Sequence, residues 1–257
     1  MEELKIALVQ TSLEWEDPEA NRTILSNKME LLEPNVDLIV LPEMFTTGFT
    51  MSPSNILQGE GEVTLRWMKD TARSKQAAIV GSIPYFEGKD HVNRLFFVLP
   101  SGEVQHYDKR HTFTLAGEDK VYRAGSERIV VFYKGFSFCP LICYDLRFPV
   151  WARNTEDFDV LLYVANWPEK RVNAWDALLR ARAIENMVYC IGVNRVGNDA
   201  SGHLYTGHSA VYDCMGEALV FSEEETILYA TLKKAHLRKN REQLKFLLDR
   251  DGFNLLV

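Results

Sequence analysis

The chain has 257 residues, 46% hydrophobic and 25% charged, with 36 acids against 29 bases and a formal charge of -7. These proportions describe an ordinary globular protein and exclude disorder and collagen-like repeats. The acid excess argues against a nucleic-acid duplex or an anionic membrane as partner, since both demand clustered Lys and Arg.

The chain opens with Glu2-Glu3 and no basic stretch ahead of an apolar core, so no signal peptide is read there. Residues 5–10 are a buried strand. Residues 18–33 follow as a helix, with Asp17 as its N-cap, Pro18 at its first position and Ile24, Leu25, Leu31 and Leu32 as its apolar set. A strand over 37–41 stops at Pro42-Glu43. A helix over 62–75 uses Val63, Leu65, Trp67, Met68 and Ala72, and 77–83 returns as strand.

Strands over 92–99, 104–109 and 128–133 are punctuated by Pro100-Ser101-Gly102 and Gly125-Ser126. The apolar strand 136–142 runs directly into Cys143. Strand 160–165 is the longest apolar run and far too short to span a bilayer. A helix over 172–187, a strand over 188–194, three late strands (210–212, 218–221, 227–232) and a charged helix over 234–244 complete the set. Alternating strands and helices with extra hairpins, and no Pro/Gly/Ser-rich linker, predict one α/β domain over 1–257. Strands this apolar are covered on both faces, which suggests two packed sheets with helices outside. Neither Gly-x-Gly-x-x-Gly nor a phosphate-binding loop is present, so no nucleotide cradle is read.

The four cysteines have no staple-like spacing and suit a reducing cytoplasm. Cys139 and Cys190 lie inside strands and Cys214 in a turn, where a thiol serves as a small hydrophobe. Cys143 differs, because the polar turn Tyr144-Asp145-Leu146-Arg147 follows a buried strand, and such an elbow can mount a nucleophile. A thiol near neutral pH needs a base or a cation beside it. None of the six histidines has a protease-like context. Glu43 and Lys109, each at a strand end, offer another route: a carboxylate to take the proton and an ammonium to stabilise developing charge. Taken singly, Glu43 reads as a surface acid and Lys109 as a solvated charge.

Together, Leu41-Pro42-Glu43-Met44-Phe45, Tyr107-Asp108-Lys109-Arg110-His111 and Ile142-Cys143-Tyr144-Asp145-Leu146-Arg147-Phe148-Pro149 resemble the nitrilase superfamily of carbon–nitrogen hydrolases, in order and in spacing. The strand ending at Gln10, the Arg180–Asn186 helix segment and the turn Gly207-His208-Ser209 extend the likeness over nearly the whole chain. The resemblance implies a four-layer α-β-β-α sandwich. It implies Glu43 as general base, Cys143 as nucleophile, and Lys109 with the Tyr144 N–H as the oxyanion site. Glu118 matches a further carboxylate of the family, either catalytic or holding Lys109 in place. No metal and no cofactor is called for.

The residues after the cysteine look like the amidase branch, most like the omega-amidases. Those act on the omega-amides of small 2-oxo dicarboxylic acids such as 2-oxoglutaramate and 2-oxosuccinamate. The alternative substrate is another small aliphatic amide or an N-carbamoyl amino acid. Such an acid requires a cationic subsite, for which Arg147 and Arg110 are candidates. Arg147 could equally pin the elbow through Asp145, and Trp167 is either pocket wall or core. Arg182 and Glu185 share a helix face and read as a structural pair. A reading from another class, a binding module that no longer turns over, is opposed by the intact Glu43, Lys109 and Cys143. The resemblance also implies a homodimer or an assembly of dimers. The apolar tail within 233–257 would be buried against a partner subunit or against the domain itself.

Overall fold

The computed structural model describes residues 2–255. In chain order the first half comprises β1 (Glu3–Gln10), α1 (Pro18–Glu30), β2 (Leu38–Val40), α2 (Glu60–Lys75), β3 (Ala78–Glu87), β4 (Asp90–Val98) and β5 (Val104–Asp108). The middle comprises β6 (Val131–Tyr133), β7 (Phe136–Ile142), β8 (Val160–Ala165), α3 (Val172–Asn186) and β9 (Tyr189–Asn194). Then come β10 (Val196–Asn198), β11 (Leu204–Thr206), β12 (Ser209–Tyr212), β13 (Ala218–Ser222), β14 (Thr226–Lys233) and α4 (Lys234–Leu244).

Two six-stranded sheets form, in the orders β14-β1-β2-β3-β4-β5 and β13-β12-β9-β8-β7-β6. The period-2 pattern of the first sheet decides which face each side chain serves. Ile6, Leu8, Leu38, Val40, Leu95 and Phe97 enter the core shared with the second sheet. Their neighbours Ala7, Val9, Ile39, Leu41, Phe96 and Val98 pack with Leu25 and Met29 of α1 and Met68 and Ala72 of α2. Phe97 meets Phe138 of the opposite sheet with ring centroids 5.5 Å apart. The strands of the second sheet are covered on their far side by Trp175, Leu179 and Ala183 of α3. Gly192 permits this approach, because a Cβ there would stand 2.4 Å from Leu179. The result is the expected α-β-β-α layering.

Most elements match their predicted positions. Helix α1 stops earlier than expected: the Leu31 N–H turns back to the Lys28 carbonyl at 3.0 Å, and Leu31 is left 75% exposed. Pro34 disfavours helical backbone at Glu33, which explains the early reversal. The strand predicted over 128–133 shortens to β6, and the Arg128 side chain ahead of it donates to the Trp151 and Arg153 carbonyls. The β10–β11 hairpin was not read from the sequence. After α4 the chain makes one further turn (Phe246–Asp249), and Arg250 donates to the Asn154 carbonyl at 3.0 Å. Phe246, Leu248, Phe253 and Leu255 stay exposed. Leu256 and Val257, the end of the predicted apolar tail, lie outside the described residues. Among the described residues no helix is long and apolar enough to cross a membrane.

Candidate active site

The site assembles at the carboxyl ends of parallel strands, where loops rest on a rigid frame. Strand β2 ends at Val40, and the Leu41 N–H still bonds the Val80 carbonyl at 2.7 Å. Met44 then takes a φ of +42°, its N–H donating to Ser82 Oγ at 3.0 Å, so that Glu43 faces inward and is fully buried. Lys109 follows β5, with its N–H on the Asn93 carbonyl at 3.0 Å. Cys143 follows β7 with a φ of +43°, a left-handed conformation that is strained for a non-glycine residue.

The elbow at Cys143 is held from below. The Asp145 carboxylate accepts from Tyr107 Oη at 2.7 Å, from the His111 N–H at 2.9 Å and from the Ile142 N–H at 3.0 Å. His111 Nδ1 lies 2.8 Å from the same carboxylate. From above, Arg182 Nη2 donates to the Leu146 carbonyl at 2.6 Å and Arg182 Nη1 pairs with Glu185 at 2.9 Å. The Arg182–Glu185 pair is therefore structural. Arg147 does not pin the elbow through Asp145; that work falls to Tyr107, His111 and Ile142.

Glu43, Lys109 and Glu118 form one dry cluster. Lys109 Nζ lies 2.9 Å from Glu43 Oε1, and 3.0 and 2.8 Å from the two oxygens of Glu118. Asn93 Nδ2 donates to both carboxylates, at 2.8 Å to Glu43 and 3.2 Å to Glu118. The Asn166 N–H donates to Glu43 Oε2 at 2.8 Å, and its side-chain amide to the Glu43 carbonyl at 2.5 Å. The Phe113 N–H fixes Glu118 from the opposite side at 2.5 Å. Burial opposes the charge on Lys109, but Glu118 and Glu43 outweigh it and hold its pKa above the ordinary value. Burial raises the Glu118 pKa although Lys109 pulls it down. Burial, and then the facing Glu43 carboxylate, push the Cys143 thiol well above its usual range, with Lys109 opposing. The resting thiol is therefore protonated, and attack needs a base within reach.

A raised pKa does not set Cys143 apart, because burial also lifts Cys139 to about 12 and Cys214 to about 11. Position does. Only Cys143 of the four free cysteines borders the cavity of ≈ 290 Å³ that opens above the cluster. Lys109, Tyr144, Arg147, Asn166 and Trp167 line the same cavity. Tyr144 stands in the first turn of the 3-10 segment Cys143–Arg147, where a backbone N–H has no intrahelical acceptor. The Arg147 guanidinium lies 4.8 Å from the Trp167 ring centroid, so Trp167 is a pocket wall. Arg110 is not brought to the cavity. Its guanidinium lies over Trp151 at 5.9 Å, facing the underside of the elbow, so the sequence neighbour of Lys109 points the wrong way.

The family model described as carbon-nitrogen hydrolase matches residues 5–242. The chain belongs to the carbon-nitrogen hydrolase family. It is a hydrolase of carbon–nitrogen bonds other than peptide bonds. Omega-amidase YafV of Yersinia enterocolitica is 44% identical over 258 residues, covering 100% of both chains. The 2-oxoglutaramate amidase of Bacillus subtilis is 32% identical over 93% of this chain and 94% of its own. The carbon-nitrogen hydrolase superfamily protein XC1258 of Xanthomonas campestris superposes with a TM-score of 0.96 at 42% identity, over 99% of this chain and 100% of that one. Its crystal structure holds an arsenic adduct in the active site.

Sequence reading missed Asn93 and Asn166, which hold the Glu43 carboxylate. Asn166 follows strand β8 within Ala-Asn-Trp-Pro, a strand-end position of the kind that singled out Glu43. Asn93 sits inside β4 and carries no such signal. Also missed were Arg171 and the hairpin residues Asp199, Ser201, His203 and Tyr205, all on the cavity wall.

Proposed function

We propose that the protein is an omega-amidase that converts the omega-amide of a small 2-oxo dicarboxylic acid, 2-oxoglutaramate or 2-oxosuccinamate, to the acid and ammonia. The observation that carries the reading is that Lys109 and Cys143 border one cavity whose outer wall bears Arg147, with Glu43 buried against both of them. Likeness over full length to an omega-amidase, and more distantly to a 2-oxoglutaramate amidase, supports the substrate class.

Glu43 takes the thiol proton as Cys143 Sγ attacks the amide carbon. The carbonyl π-bond opens to an oxyanion, met by Lys109 Nζ and the Tyr144 N–H. As Glu43 gains the proton its grip on Lys109 weakens, which frees an ammonium N–H for that oxygen. The C–N bond then breaks, the Glu43 proton leaves with the nitrogen as ammonia, and a thioester remains. Water gives a proton to Glu43 and attacks the thioester. Collapse releases the carboxylic acid and returns the proton to sulfur. Glu118 acts through Lys109: a second buried carboxylate keeps the ammonium charged and aimed. Arg147, braced on Trp167, receives the distant carboxylate.

Ammonia release from 2-oxoglutaramate, 2-oxosuccinamate, an N-carbamoyl amino acid and a neutral aliphatic amide, with Cys143→Ala as control, tests the assignment. Higher kcat/KM on either of the last two would move it to the alternative substrates. A Cys143→Ala variant that kept its activity would sink the mechanism. The reading also places the protein in the cytoplasm, where buried free thiols persist. It assigns 233–257 to the interface of a homodimer or an assembly of dimers, covering the exposed Phe246, Leu248 and Phe253. Sedimentation of Leu248→Asp as a monomer beside a dimeric parent is the expected result.

A further inference from the structure

The cavity is lined by two guanidinium groups that the described residues leave unpaired. Arg147 lies over the face of Trp167 at 4.8 Å and Arg171 over the face of Phe113 at 5.0 Å, and all four residues line the cavity. Stacking on a ring fixes the plane of a guanidinium and leaves its N–H edge free. The buried arginines, by contrast, are engaged: Arg94 forks onto Asp108 at 2.6 and 2.8 Å, Arg182 holds Glu185 and the Leu146 carbonyl, and Arg195 donates to the Asn198 carbonyl at 2.9 Å. Among the described residues neither Arg147 nor Arg171 has a carboxylate or side-chain partner. One indole ties the two together, since Trp167 carries Arg147 on its face and donates from Nε1 to the Arg171 carbonyl at 2.8 Å. Two like charges bordering one cavity repel, and an anion between them removes that cost.

Asp199 is the one carboxylate among the residues lining this cavity, and it is already occupied. It accepts from Tyr205 Oη at 2.9 Å and from the N–H groups of Ser201 and His203, each at 2.9 Å, with His203 Nδ1 at 3.2 Å. It braces the β10–β11 hairpin and is poorly placed to receive a substrate ammonium.

We propose that Arg171 is a specificity-determining residue that donates to the 2-oxo oxygen of the substrate while Arg147 holds the adjacent carboxylate. This rests on the substrate reading above. A 2-oxo acid presents its keto oxygen beside its carboxylate, acceptors all, which suits two forks bordering one cavity. A 2-amino acid amide such as glutamine would instead set an ammonium against Arg171 and be repelled.

Three amides separate these contributions: 2-oxoglutaramate, glutaramate (which lacks only the 2-oxo group) and pentanamide (which also lacks the carboxylate). In Arg171→Gln the ratio of kcat/KM for 2-oxoglutaramate over glutaramate is expected to fall about 10- to 100-fold, the worth of a charge-assisted hydrogen bond. The fall should appear mainly in KM, and Arg171→Lys should recover part of it. Arg147→Gln is expected to lower the ratio of glutaramate over pentanamide instead. If Arg171→Gln slows all three amides together, Arg171 is structural and the proposal is overturned; a ratio left unmoved overturns it too. A parent enzyme that itself shows no preference for 2-oxoglutaramate over glutaramate refutes the substrate reading, and Arg171's role falls with it. A preference kept by Arg171→Gln removes Arg171 alone.

Discussion

At the inner end of the cavity a buried ammonium touches two carboxylates, and Asn93, Asn166 and the Phe113 N–H hold those carboxylates in turn. At the outer end two guanidinium groups rest on aromatic rings and bond to nothing charged among the described residues. The inner end is over-determined: removing any one member leaves a buried charge or donor unpaired. The outer end is complete only with an anion in place. Changes to the inner end should therefore abolish the chemistry, while changes to the outer end should redistribute substrates.

The sharpest way to break this contrast is Cys143→Ala, for which ammonia release should fall at least about 10⁴-fold with the fold intact. Glu118→Gln comes next. It leaves Lys109 with one carboxylate, and kcat should drop about 10²- to 10³-fold with KM little changed in steady-state assays. Activity near that of the parent would reduce Glu118 to packing. Asp145→Asn strikes the support of the elbow, where four donors converge on one buried carboxylate. Urea titration should register about 2–4 kcal/mol of lost stability together with lost activity.

The thiols set a pH limit on the whole scaffold. Burial raises the pKa of all four, Cys214 to about 11 and Cys139 to about 12. The folded state therefore holds protons that the unfolded chain begins to release near pH 8.5. Stability is complete below that point and should fall by up to about 1.4 kcal/mol per pH unit per thiol as pH rises toward the folded values. Urea unfolding between about pH 7 and pH 10 reads the slope. The smallest effect is expected from Cys190→Ala, far from the cavity: about 1 kcal/mol of stability and kcat/KM within about twofold of the parent. A large loss of activity there would contradict the division between packing thiols and the single nucleophile.

How far the sequence reached depends on the range of the interaction involved. Strand β7 running into Cys143 is local: seven buried residues and then a polar turn mark a strand end and a nucleophile mounted at it. Glu43 and Lys109 stand at comparable strand ends and were legible for the same reason. Arg110 shows the limit of local reading. It adjoins Lys109 and carries the right charge, yet successive residues leave an extended segment in opposite directions, and its guanidinium faces Trp151. Asn93 was silent because a polar residue inside a strand looks the same whether it faces solvent or a buried carboxylate.

Taken alone, the amino-acid order determined the alternation of strands and helices, the period-2 faces of the first sheet and three reactive side chains at strand ends, since these follow from short-range patterning and backbone sterics. Only the tertiary structure decided that Glu118, nine residues from Lys109 along the chain, binds it with both oxygens. It alone decided that Arg171 and not Arg110 borders the cavity, and that Asp145 anchors the elbow through Tyr107 and His111. Those contacts join segments whose separation along the chain is set by the packing of two sheets, and no local pattern encodes which loops such packing brings together.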